Sequence, residues 1–103
     1  MKELPVYQTA KRYEGVIDLE KVAQRVREDL ATMMSALPGF VSFDCSEAEE
    51  NVLVTTSVFE TQRDAEESDR RATVWARENL GFLAPSPPQI TAGEILATGR
   101  RVT

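Results

Sequence analysis

Four short stretches rich in β-branched and aromatic residues, separated by two long amphipathic ones, predict an α+β domain in the order strand, helix, strand, strand, helix, strand. That order closes naturally as a ferredoxin-like βαββαβ sandwich, a four-stranded antiparallel sheet with two helices on one face. At 103 residues the chain has room for one core, so residues 1–103 are read as a single domain, with 98–103 a flexible tail.

"VYQTAKRY" (6–13) is the first strand, mixing β-branched and aromatic residues in rough alternation, and Gly15 breaks it. Asp18 is the predicted N-cap of the first helix. From Leu19 the apolar positions are Val22, Val26, Leu30, Met33 and Leu37, one face of a helix about five turns long that Pro38-Gly39 stops. "FVSFDC" (40–45) and "NVLVTTSVFE" (51–60) are the second and third strands, with the acidic "SEAEEN" as the turn of an antiparallel hairpin. Thr61 caps a second helix that runs to about Leu83, where Gly81 or "PSPP" ends it. "QITAGEILA" (89–97) is the fourth strand.

Composition removes many chemistries. The chain has no histidine, which excludes His-based triads, Cys–His pairs, haem ligation by His and the common zinc sites. Cys45 is the lone cysteine, so no intrachain disulfide or cysteine cluster forms, and it reads as a small buried apolar residue. The glycines are isolated and make no phosphate loop. A net charge of -5 argues against a nucleic-acid or acidic-membrane partner, which would want a basic field. No run is as long as a membrane span, and "MKELPVYQTAKRY" lacks the apolar core of a signal peptide, so a cytoplasmic protein is expected.

The third strand adds a constraint. Val52, Val54 and Val58 share one face, while Leu53 and Phe59 share the other with Thr55 and Ser57 between them. Neither face carries charge before Glu60, yet two helices cover only one side. A second copy of the chain, packed sheet to sheet, is the expected cover.

"LPGFVSFD" (37–44), "VTTSVFETQRDAEESDRRATVWARENL" (54–80) and "PPQITAGEILA" (87–97) carry a resemblance to the antibiotic-biosynthesis-monooxygenase-like (ABM-like) superfamily, in a small-protein branch of mostly uncharacterised members. The resemblance implies a homodimeric α/β barrel made by packing two such sheets. It also implies a pocket between helices and sheet, in which cofactor-independent monooxygenases oxidise polycyclic aromatic quinol-type substrates. Relatives include haem degraders, isomerases, cyclases and stress-response proteins. The oxygenases use an asparagine on the first strand and a tryptophan on the second helix; this chain has Gln8 and Thr9 on that strand and Trp75 on that helix. The haem degraders use a helical histidine, which this chain lacks.

At about 100° per residue, Ala65, Ser68, Asp69, Ala72, Trp75, Ala76, Asn79, Leu80 and Leu83 share one broad face of the second helix. Glu66 with Arg70, and Glu67 with Arg71, stand four apart as outward ion pairs. The inward face admits two readings. In one, Ser68 bonds back to its own helix, Asp69 lies at the wet margin and Asn79 caps the helix end. In the other, Trp75 and Asn79 flank a pocket, with Ser68 and Asp69 beside them, Thr55 or Ser57 below, and Met33 and Met34 shaping the far side.

Weaker candidates are the acidic "EAEE" (47–50), expected to be solvated and to hold no metal, and Tyr7, Tyr13 and Glu94 as acids or bases. Arg71 could meet an anionic ligand, although its pairing with Glu67 is the simpler account. The functions in view are therefore threefold: a homodimeric binder or cofactor-independent monooxygenase of a hydrophobic aromatic molecule, a non-enzymatic dimerisation or ligand-sensing module, and a proton-transfer isomerase or cyclase. None of them calls for a metal or another cofactor.

Overall fold

In the computed structural model, which describes residues 6–99 and 101, one antiparallel sheet has the strand order β2-β3-β1-β4. The strands are β1 (Tyr7–Tyr13), β2 (Phe40–Glu49), β3 (Val52–Phe59) and β4 (Gln89–Glu94). The first helix runs Leu19–Arg25, passes through a π-helical turn at Val26–Leu30 and continues Ala31–Ser35. The second helix is Gln62–Asn79, followed by a 3-10 turn at Gly81–Leu83. This is the ferredoxin-like βαββαβ arrangement. Of the expected tail, Arg100, Val102 and Thr103 lie outside the described residues.

Both helix starts follow their sequence signals. The Asp18 carboxylate accepts from the Lys21 N–H at 3.2 Å, and Thr61 Oγ1 accepts from the Asp64 N–H at 3.0 Å. Between the first helix and β2, Gly39 has φ +75°, and a Cβ there would overlap the Asp64 carboxylate.

The core lies between helices and sheet. Val22, Val26, Leu30 and Met34 descend from the first helix, Leu53 and Phe59 rise from β3, and Ala65 and Trp75 come from the second helix. Phe59 is fully buried and meets Phe40 edge-on, with ring centroids 5.7 Å apart. The first helix packs on β2, and the second crosses β1 and β3, the central strands.

Several boundaries differ from expectation. Strand β2 extends through most of "SEAEEN": Cys45 pairs with Thr55, Ser46 with Val54 and Glu49 with Val52, with an irregularity between Glu47 and Glu49. The turn is only Glu50–Asn51, with Asn51 at φ 61°. An edge strand with exposed side chains tolerates carboxylates, so acidity alone did not mark a turn. The second helix ends at Asn79 and β4 at Glu94, both short of the expected limits. On the second helix, Glu67 pairs with both Arg70 and Arg71, while Glu66 accepts from Gln62; the expected Glu66–Arg70 pair does not form.

The first helix departs more instructively. Residues 22 and 33 differ by about 20° on an ideal α-helix, which would point Met33 inward with Val22. The Ala31 N–H instead bonds the Val26 carbonyl, five residues back. The wider turn advances less per residue, so positions four apart stay aligned. Met34 is therefore the buried methionine, and Met33 faces the neighbouring helix.

Away from the helices, the sheet presents Val54, Thr56 and Val58 of β3 beside Gln8, Ala10 and Arg12 of β1. Val54 and Val58 are half-buried and Val52 is buried. Arg12 binds Glu14 at 2.9 Å and Glu49 at 2.7 Å along the margin. The valine stripe stands on this face as the sequence alternation required.

Candidate functional site

Alternation along β1 brings Tyr7, Thr9, Lys11 and Tyr13 to the helix-covered face. Opposite them on β3, Ser57 pairs with Thr9 and Thr55 with Lys11. The floor beneath the second helix is therefore four buried polar side chains, Thr9, Lys11, Thr55 and Ser57, in the centre of the sheet. Above it the helix supplies Asp69, Ala72, Trp75 and Ala76, and Val26, Leu30 and Met34 close the side toward the first helix. Alanines at two of the four helical positions keep the roof from filling the space. A cavity of about 30 Å³, traced by the centre of a water-sized sphere, remains. That is room for one or two waters.

Lys11 is the residue that the sequence reading missed. Its side chain is only 7% exposed, and its ammonium forms an ion pair with Asp69, whose side chain is 35% exposed. Asp69 Oδ1 is itself buried, with the ammonium as its ionic partner and no hydrogen bond of good geometry. Strand alternation held the signal: with Tyr7 and Thr9 inward, Lys11 must follow and Arg12 must point away.

Tyr13 stands two residues beyond Lys11 on the same face and also lines the cavity. Burial, and then the nearby negative charge of Asp69 and of Cys45 when ionised, raises its phenol above the ordinary tyrosine value. It therefore stays a protonated donor through neutral pH. Burial likewise raises the Cys45 thiol, partly opposed by Arg27, so a neutral thiol is favoured there.

Of the sequence candidates, Trp75, Asp69, Thr55 and Ser57 converge on this cavity. Ser68 does not; fully buried, it donates to the Ala65 carbonyl of its own helix at 2.8 Å. Asn79 also turns back, donating through Nδ2 to the Trp75 carbonyl at 2.9 Å, while its own carbonyl accepts from Arg25. Met33 lines an outer groove of about 270 Å³ on the other side of Trp75, with Arg70, Arg71, Val74 and Glu78. Tyr7 pairs with Glu94 at the far end of β1, and Glu94 is exposed. Among the described residues no cluster of three His, Cys, Asp or Glu side chains could hold a metal.

A second groove adjoins the cavity. Tyr13 and Ala76 line both, and beyond them Thr73, Arg77 and the Pro85–Pro88 segment border an open groove of about 330 Å³. The cavity and the groove thus share one wall.

No family model matches the sequence, and no curated protein is similar to it at a significant level. Solved structures are similar. A protein of unknown function from Nitrosomonas europaea superposes with a TM-score of 0.74 at 15% identity, over 99% of this chain and 100% of that one. A monooxygenase of Streptomyces coelicolor, solved with the ligand nanaomycin D, gives 0.69 at 14% identity, over 95% and 92%. SnoaB, a cofactor-independent oxygenase from Streptomyces nogalater, gives 0.59 at 13% identity, over 93% and 95%. The chain has the ABM-like fold. At such identities the likeness fixes architecture, and the site must be judged on its own residues. Among the described residues no helix is long and apolar enough to cross a membrane.

Proposed function

We propose that the protein binds a hydrophobic aromatic small molecule between the second helix and the sheet, and that the chemistry the site supports is cofactor-independent monooxygenation. The observation that carries this is the polar floor of Thr9, Lys11, Thr55 and Ser57 under a roof of Ala72, Trp75 and Ala76, with Asp69 as the roof's one charged group. Such a site combines apolar burial with a few placed donors. The groove behind Tyr13 and Ala76 has the volume for a ring system, and the cavity takes the substituent that reaches past them. Two neighbours in fold are oxygenases, which supports the reaction class.

In such a reaction a ring CH2 and O2 become a ring C=O and water, the second oxygen atom leaving with the two substrate hydrogens. The substrate anion supplies the electrons, so the protein contributes positioning, exclusion of water and hydrogen-bond donors. Tyr13, held protonated, is the donor best placed beside the shared wall. The homodimer belongs to the same reading, with the valine stripe of β3 as its contact and a second copy as its cover.

The small cavity favours a second reading, a non-enzymatic dimerisation or ligand-sensing module whose interior is filled by its own side chains. Titration of Trp75 emission with quinones, quinols and polyketide-like aromatics separates the two. Saturable change, with oxygen uptake from an autoxidisable quinol that Trp75→Phe abolishes, supports the oxygenase; silence across the panel with the oligomer intact supports the module.

A further inference from the structure

We propose that the Lys11 ammonium is the anion-holding group of this site, that its ligand is an aromatic molecule carrying an ionised ring hydroxyl, and that Asp69 is the counter-ion this oxygen displaces. The inference deepens the ligand-binding reading above and rests on it.

The geometry is asymmetric in a way that suits exchange. Lys11 sits on a central strand, paired on both sides through Thr55 of β3 and Ile90 of β4, and its side chain is almost wholly out of water. Asp69 stands on the helix above with about a third of its side chain still exposed. The Lys11 side chain is anchored in the middle of the sheet, whereas the Asp69 side chain stands at the margin of the helix and can turn its carboxylate to solvent. An incoming anion therefore replaces Asp69 on a cation that stays fixed. Lys11 has three donors and no acceptor, and Asp69 is its sole charged partner among the described residues. The remaining donors can serve a ligand oxygen, with the Thr9, Thr55 and Ser57 hydroxyls beside the same cavity.

A neutral ring gains nothing from this arrangement and leaves the ion pair as it stands. An ionised hydroxyl gains a charge-assisted hydrogen bond in a site shielded from water. The expected ligands are thus ionised quinols, hydroxyquinones or enols, in preference to uncharged aromatics of equal size.

The test compares 2-hydroxy-1,4-naphthoquinone, ionised at neutral pH, with its uncharged 2-methoxy analogue, by titrating Trp75 emission. The wild-type protein should bind the hydroxyquinone about ten-fold more tightly. Lys11→Met should erase that preference, so that the hydroxyquinone binds no more tightly than the methoxy compound to the same variant. Asp69→Asn, which removes the competing charge but keeps Lys11, should tighten hydroxyquinone binding about three-fold, a small part of a full charge-pair exchange. Equal wild-type affinities for the two quinones, or a preference that survives Lys11→Met, would overturn the assignment. Should Lys11→Met fail to fold, the wild-type pair and Asp69→Asn still decide, since weaker hydroxyquinone binding by Asp69→Asn also contradicts it. Binding of the methoxy compound without any preference sinks this inference alone, whereas binding of neither quinone removes the ligand-binding reading along with it.

Discussion

The first helix turns Val22, Val26, Leu30 and Met34 onto the sheet, all buried, whereas the second turns Ala65, Ser68, Asp69, Ala72, Trp75 and Ala76 onto it. One helix fills its contact with branched and long apolar chains. The other sets one large ring among small and polar groups, above a floor of hydroxyls and an ammonium. The difference shows which side of the molecule is built for cohesion and which has room for chemistry. The sheet follows the same division, since its polar inner residues gather on β1 and β3 beneath the second helix.

Of the two helices, the filled one should respond most strongly to mutation. Leu30→Ala should lower stability by about 3 kcal/mol in denaturant unfolding, because the removed side chain leaves a cavity that its neighbours cannot close. A loss below about 1 kcal/mol would show that the first helix is as loosely packed as the second.

On the polar side, removing the two partners of the ion pair should not be equivalent. Asp69→Ala strands a deeply buried ammonium and should cost about 2 kcal/mol. Lys11→Met leaves a carboxylate that can hydrate and should cost about 1 kcal/mol. Equal losses by chemical denaturation would show that Asp69 is held as rigidly as Lys11.

Tyr13 gives an alkaline signature. Its raised folded pKa means that the native state keeps the proton after the unfolded chain, at about 10, has released it. Its contribution is intact below that pH and is lost as pH rises through the folded value. Stability should therefore fall above about pH 10, and less steeply in Tyr13→Phe; identical profiles would deny Tyr13 its buried setting.

The smallest effect belongs to Ser68. Its hydroxyl bonds only within its own helix, so Ser68→Ala should change stability by less than about 0.5 kcal/mol and leave ligand titrations unchanged. A large loss would reveal a role in the site that its present hydrogen bond does not suggest.

Element order, helix caps and the two faces of β3 followed from residue pattern because each rests on local, periodic chemistry. The departures arose where tertiary structure overrode a local rule. An exposed edge let β2 continue through Ser46, Glu47 and Glu49, residues that read as a turn. A π turn moved the inward position from Met33 to Met34, which no α-helical wheel could register. At the site, helical spacing places the whole inward face of the second helix together and does not separate Asp69, which reaches the cavity, from Asn79, which returns to its backbone. Lys11 was hidden by its charge rather than by its position: alternation already placed it inward, but a lysine is ordinarily assigned to solvent.

If the small residues of the second helix leave a usable site beside Trp75, the emission of that ring reports its occupancy. Titration of the intact protein with 2-hydroxy-1,4-naphthoquinone, repeated with an Ala72→Leu, Ala76→Leu double variant that fills the roof, should give saturable quenching in the first and none in the second. Equal quenching in both proteins, or none in either, would show that no such site lies beneath the helix.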